Sequence, residues 1–169
     1  MSIRLAALMP ITARHVGVWD GMFVRVNEGG DVSARFRSQV VFRLLDDSHW
    51  PKIYRQTNTY FAADGSIMQS FDTEGWFEGD RIRYSSDRVR GWAADDPLDE
   101  YGANALLFME ILYRENEHVY EMAQISACSQ YRTRTVQFLK NGRTTQRTLI
   151  DERLRTTDWR TFDTEQSRA

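Results

Sequence analysis

Tyr54, Gln56, Asn58 and Tyr60 alternate along one segment with Arg55, Thr57 and Thr59. In a strand, alternate residues share a face, so these four form one row of uncharged hydrogen-bonding groups. Such a row suits an oxygenated small molecule. Glu121 stands among Val119, Tyr120, Met122 and Ala123. A carboxylate in apolar surroundings needs a cationic partner; without one its pKa rises and it becomes a candidate acid or base. Arg132 and Arg134, in phase with Val136 and Phe138, are the available cations. His15 is a second group able to move a proton near neutral pH. Trp76, Phe108 and Met122 offer aromatic and apolar wall.

Gathered around one chamber, these residues permit two chemistries. In the first, Tyr54, Gln56, Asn58, Tyr60, Trp76, Arg132 and Arg134 bind a hydrophobic or aromatic small molecule and fix its orientation. In the second, Glu121 or His15 is the catalytic proton carrier of a cofactor-free lyase or isomerase. Tyr and Arg would then stabilise oxyanion charge developing on a phenolic or enolisable substrate. A Glu–Arg–Gln network that merely fixes strand register is the third use of the same residues.

Other chemistries lack their residues. The chain has no G-x-S-x-G elbow, no P-loop and no G-x-G-x-x-G turn, so no cofactor is expected. His15, His49 and His118 are widely scattered and the cysteine is single, so no metal site is expected. Twenty-two basic against twenty-four acidic residues give a net charge of −2, which argues against a nucleic-acid partner. No stretch nears the ~18 apolar residues of a membrane helix. The segment 1–10 is short and broken by Pro10, unlike a signal peptide. Cys128 can form no intrachain disulfide and reads as a buried structural thiol. A cytoplasmic protein with a small-molecule partner is expected, and homo-oligomerisation is left open. The acidic residues Asp95, Asp96, Asp99 and Glu100 around Pro97 read as a solvated loop.

The elements that must position these residues are strands. Turn signals at Asn27 to Gly30, Asp64-Gly65, Glu78-Gly79-Asp80 and Asn141-Gly142 separate segments rich in β-branched and aromatic residues. Phe36, Ser38, Val40, Phe42 and Leu44 alternate with Arg35, Arg37, Gln39 and Arg43. Only residues 2–15 look helical, with Pro10 limiting them. The pattern predicts an all-β antiparallel meander of about eight to ten strands after a short N-terminal helix. Polar groups on inward rows favour a closed up-and-down barrel with a wetted cavity over a filled sandwich. Residues 1–155 are expected to form this single domain, and 156–169 a polar tail loosely docked by Trp159 and Phe162.

One further pattern carries a resemblance. His15-x-Gly17-x-Trp19-x-Gly21 follows the helical segment, and Gln56-x-Asn58-x-Tyr60, Tyr120-Glu121-Met122, Arg132-x-Arg134 and Arg147 to Arg153 follow in turn. From about residue 12 to residue 155 the chain resembles a family of short bacterial calycin-like (lipocalin-fold) proteins, distantly similar to the bilin chromophore lyases. The resemblance implies a calycin barrel whose closed end holds Trp19 beneath a last-strand arginine, here Arg147, Arg153 or Arg155, as a cation–π plug. The lipocalin Thr-Asp-Tyr motif is missing, so secretion and retinoid-type transport are not implied.

Overall fold

The computed structural model describes residues 3–86, 89–96, 100–112 and 114–166. Two short helices, α1 (Ile3–Leu8) and α2 (Pro10–Arg14), precede ten strands. These are β1 (Gly17–Asn27), β2 (Val32–Leu44), β3 (Tyr54–Phe61), β4 (Ile67–Glu78), β5 (Arg81–Ser85), β6 (Val89–Asp95), β7 (Asn104–Ile111), β8 (Glu117–Ile125), β9 (Tyr131–Lys140) and β10 (Arg143–Thr156). Helix α3 (Trp159–Gln166) follows. Each strand pairs antiparallel with its chain neighbour, and β1 pairs with β10 to close the barrel. Closure leaves no sheet edge unpaired. The Asn-Gly turn joining β9 to β10 has φ of 51° at Asn141 and 75° at Gly142, matching the twist of a two-residue hairpin.

Alternation along the strands divides the barrel into inside and outside. On β9, buried Arg132, Arg134 and Val136 alternate with exposed Tyr131, Thr133 and Thr135. On β10, buried Thr148, Ile150 and Glu152 alternate with exposed Arg147, Asp151, Arg153 and Arg155. The interior of the far half is apolar: Phe23, Ile111, Val119, Val136 and Ile150 form one cluster.

The helical end is sealed. Pro10 opens α2, and Asp95 at the end of β6 accepts hydrogen bonds from Ile11 N, Thr12 N and Thr12 Oγ1 at 2.8, 2.8 and 2.6 Å. The carboxylate thereby satisfies amides that a helix start leaves without partners. Asp95 is thus a cap rather than part of a solvated loop; Pro97 and Asp99 lie outside the described residues. Arg14 donates to Gly102 O at 2.8 Å and Ser126 O at 2.6 Å, tying α2 to the β6–β7 connection and the β8–β9 turn.

Beneath α2, fully buried Trp19 donates from Nε1 to His15 O at 2.8 Å. The guanidinium of Arg132 lies 4.4 Å from its ring. The plug expected from the resemblance is therefore built with an arginine of β9, not of β10. Strand parity is the reason: Arg147, Arg153 and Arg155 occupy the outward row of β10.

Two more expectations are corrected. Residues 159–166 are not a loose tail, because Trp159 and Phe162 are buried against the barrel. Arg43 also donates to both carboxylate oxygens of Asp163, at 2.7 and 2.6 Å. Cys128 is exposed rather than buried, since it falls in the β8–β9 turn instead of on a strand.

Replacing Trp19 with alanine removes the largest fully buried side chain and the surface on which Arg132 rests. The expected loss is about 3–5 kcal/mol in urea unfolding. A loss within about 0.5 kcal/mol, as at a surface position, contradicts the plug.

Candidate functional site

The charged centre of the barrel is four side chains on three adjacent strands. Arg132 donates from Nε to Glu152 Oε2. Arg134 Nε lies 3.2 Å from the same oxygen, and Arg134 Nη1 donates to Glu121 Oε1 at 3.1 Å. Arg134 therefore bridges two carboxylates, one from β10 and one from β8. Gly21 makes room for this arrangement: a Cβ there would lie 2.5 Å from Glu152 Cγ. Burial pushes the Glu152 carboxyl up, but Arg132 and Arg134 outweigh it and hold it below the ordinary carboxylate value. Burial likewise works against the Arg134 cation, and Glu121 and Glu152 overcome it, raising its pKa. Arg134 and Glu152 stay ionised because each charge is met by another.

The polar row of β3 runs up from this centre. Tyr54 OH donates to Gln56 Oε1 at 2.9 Å, and Gln56 Nε2 donates to Asn58 Oδ1 at 3.1 Å. Tyr60 stands next, in edge contact with Phe36 and Phe71 and tilted against Phe23. Burial pushes the phenols of Tyr54 and Tyr60 above their ordinary value, so both serve as hydrogen-bonding hydroxyls at neutral pH.

Above the charges lies a cavity of about 250 Å³ whose lining includes Gln56, Asn58, Tyr60, Glu121 and Arg134. Phe23, Phe71, Met109, Val136 and Ile150 supply apolar wall. Towards α2 it adjoins a smaller chamber of about 50 Å³, lined in part by His15, Arg132, Ala105 and Ala123. Tyr54, Gln56, Leu107, Glu121 and Arg134 border both. A larger groove of about 580 Å³ lies between the β7–β8 and β9–β10 turns, lined by Arg114, Glu115, Asn116, Glu117, Lys140 and Asn141. It is a surface feature remote from the buried charges.

The structure thus brings together Tyr54, Gln56, Asn58, Tyr60, Glu121, Arg132, Arg134 and His15. It leaves Trp76 apart. Trp76 follows buried Gly75 on β4 and opposes Arg83, on the face opposite Phe71 and Thr73. Phe108 and Met122 are also outside: Phe108 packs against Trp92, His118 and Tyr120, and Met122 is exposed. One residue of the charged centre is hard to read in the sequence. Glu152, the hub, is marked only by its phase with Thr148 and Ile150 on β10. His49 pairs with Asp46 on the surface, and no group of three His, Cys, Asp or Glu among the described residues is placed to hold a metal ion.

A closed meander barrel with a charged floor beneath an apolar chamber defines the class. The chain belongs to the family described as Domain of unknown function (DUF3598), N-terminal, which matches residues 11–157. A crystal structure of a DUF3598 protein from Nostoc punctiforme PCC 73102 superposes with a TM-score of 0.59 at 13% identity, over 85% of this chain and 48% of that one. This chain thus spans about half the length of that relative. The S-type phycobiliprotein lyase CPES from Guillardia theta gives a TM-score of 0.61 at 13% identity, over 92% and 94% of the two chains. Rv2717c from M. tuberculosis gives 0.62 at 13% identity, over 92% and 99%. These likenesses establish the fold. No curated protein matches the chain.

The buried groups set a pH dependence. His15 is pushed well below its ordinary 6.5 by burial, then by Arg132, Arg134 and Arg14, so the unfolded chain takes up its proton first. Stability should therefore fall as pH drops below about 6.5, by up to about 1.4 kcal/mol per pH unit. The depressed Glu152 carboxyl adds a further loss below its ordinary 4.5. Urea midpoints between pH 7.5 and 5 check this, and His15→Phe should flatten the slope. An unchanged slope in the variant contradicts the assignment.

Proposed function

We propose that the protein binds a small hydrophobic or aromatic molecule in the 250 Å³ chamber, with the polar row of β3 fixing its orientation. The observation that carries this reading is the Arg134–Glu121 pair at 3.1 Å. A carboxylate committed to a buried guanidinium is lining and counter-ion. A general base must instead be free to accept a proton from substrate, which is why binding is favoured over acid–base turnover. The walls support it further, since a few convergent polar groups within apolar surroundings are what small-molecule sites share. The fold is shared with a phycobiliprotein lyase, and at 13% identity the ligand does not transfer with it. The cytoplasm is the proposed setting, because the exposed free thiol of Cys128 suits a reducing compartment. No helix among the described residues is long and apolar enough to cross a membrane.

The test is saturable fluorescence enhancement of N-phenyl-1-naphthylamine, a neutral apolar probe. Val136→Phe, which intrudes on the chamber, should abolish it while the protein stays folded. Glu121→Gln should weaken it by a few-fold only, as expected for one altered hydrogen bond. Binding that survives Val136→Phe unchanged contradicts the proposed site.

A further inference from the structure

The inner chamber says what the end of the ligand is made of. It holds about 50 Å³, space for one small group or one or two waters. His15 and Arg132 line it, each only 3% exposed, and His15 Nε2 and Arg132 Nη2 find no hydrogen-bond partner among the described residues. Buried donors without acceptors are rare because they forfeit hydration with no return. Tyr54 and Gln56 spend their bonds on one another and on Asn58, and Glu152 Oε1 is likewise buried without a partner among the described residues but stands outside the chamber's lining. Glu152 takes Arg132 through Nε, and Glu121 takes Arg134. Two donors therefore converge on a chamber that opens beside an apolar room.

We propose that the ligand is an elongated apolar molecule ending in a neutral carbonyl, whose oxygen accepts hydrogen bonds from Arg132 Nη2 and His15 Nε2. This rests on the reading of the outer chamber as a ligand site and specifies which end enters first. Charge selects the neutral head. Arg132, Arg134 and Glu121 line the chamber, and Glu152, outside the lining, pairs with both arginines, so two positive charges meet two negative ones. Arg14 contributes only at a distance, and its guanidinium is engaged by Gly102 O, Ser126 O and Ser129 Oγ. Burial and these arginines keep His15 neutral at pH 7, and the neutral ring can donate from Nε2 in its Nε2–H tautomer. A carboxylate would bring an uncompensated charge into the dry centre beside two glutamates, whereas a ketone, aldehyde or amide oxygen brings none. The body of the molecule then lies against Phe23, Phe71, Met109 and Ile150.

Three probes of one shape separate the alternatives: 2-acetylnaphthalene, 2-ethylnaphthalene and 2-naphthoate, each titrated calorimetrically at pH 7.5. The ketone should bind about tenfold tighter than the hydrocarbon, as one well-placed hydrogen bond to a charged donor allows. The naphthoate should bind weaker than either. His15→Phe should remove most of the ketone's advantage and leave the hydrocarbon's Kd within two- or threefold. Equal affinity of ketone and hydrocarbon, or tightest binding of the naphthoate, overturns the carbonyl assignment and leaves the cavity reading standing. If none of the three binds, both fall. The wild-type comparison decides the matter even where the variant is unstable.

Discussion

Two arginines and two glutamates lie inside this barrel with little access to water, and each is tolerable there only through the others. Arg134 is the link that makes one system of them, holding Glu121 of β8 and Glu152 of β10 at once. Remove one charge and a buried ion is stranded, typically at a cost of about 3–5 kcal/mol. Much of the surrounding geometry serves this arrangement. Gly21 gives up its side chain to leave Glu152 space, and Trp19 offers its ring as the surface beneath Arg132. The phase of β8, β9 and β10 is thereby fixed, since a one-residue slip would turn all four charges towards solvent.

The same arrangement divides the barrel's interior along its length. Towards the helices, the Trp19–Arg132 stack, the Asp95-capped α2 and the Arg14 clamp close the end. Away from them, apolar side chains replace charges and leave open volume. The polar row of β3 connects the two regimes as a ladder of hydrogen bonds from Tyr54 to Asn58.

Much of this was legible in the residues. Period-two alternation on β2, β3 and β9 identifies strands, and the Asn-Gly and Asp-Gly pairs locate turns. The row Tyr54, Gln56, Asn58 and Tyr60 could be read because its neighbours are plainly of another character. What escaped depended on long-range placement. Glu152 sits among Asp151, Arg153 and Arg155, so its local sequence looks like solvated surface; only closure of β10 against β1 and β9 makes it central. The partner of Trp19 is hidden for the same reason, since outward Arg147, Arg153 and Arg155 are indistinguishable by type from inward Arg132. Trp76 and Phe108 look like cavity wall by composition, yet parity turns them outside. Asp95 reads as loop until a helix distant in sequence is laid over it.

The central claim is that the buried charges form the floor of a ligand cavity and not merely a structural bolt. Arginine Nε–Hε resonances report on it directly, because Arg132 and Arg134 lie at the inner chamber while Arg43 is engaged with Asp163 on the outer surface. Titration with 2-acetylnaphthalene, followed by nitrogen–proton correlation spectra, should shift the Arg132 and Arg134 signals saturably and leave Arg43 in place. Shifts confined to Arg43 and other outer-surface groups, with Arg132 and Arg134 unmoved, would contradict the account.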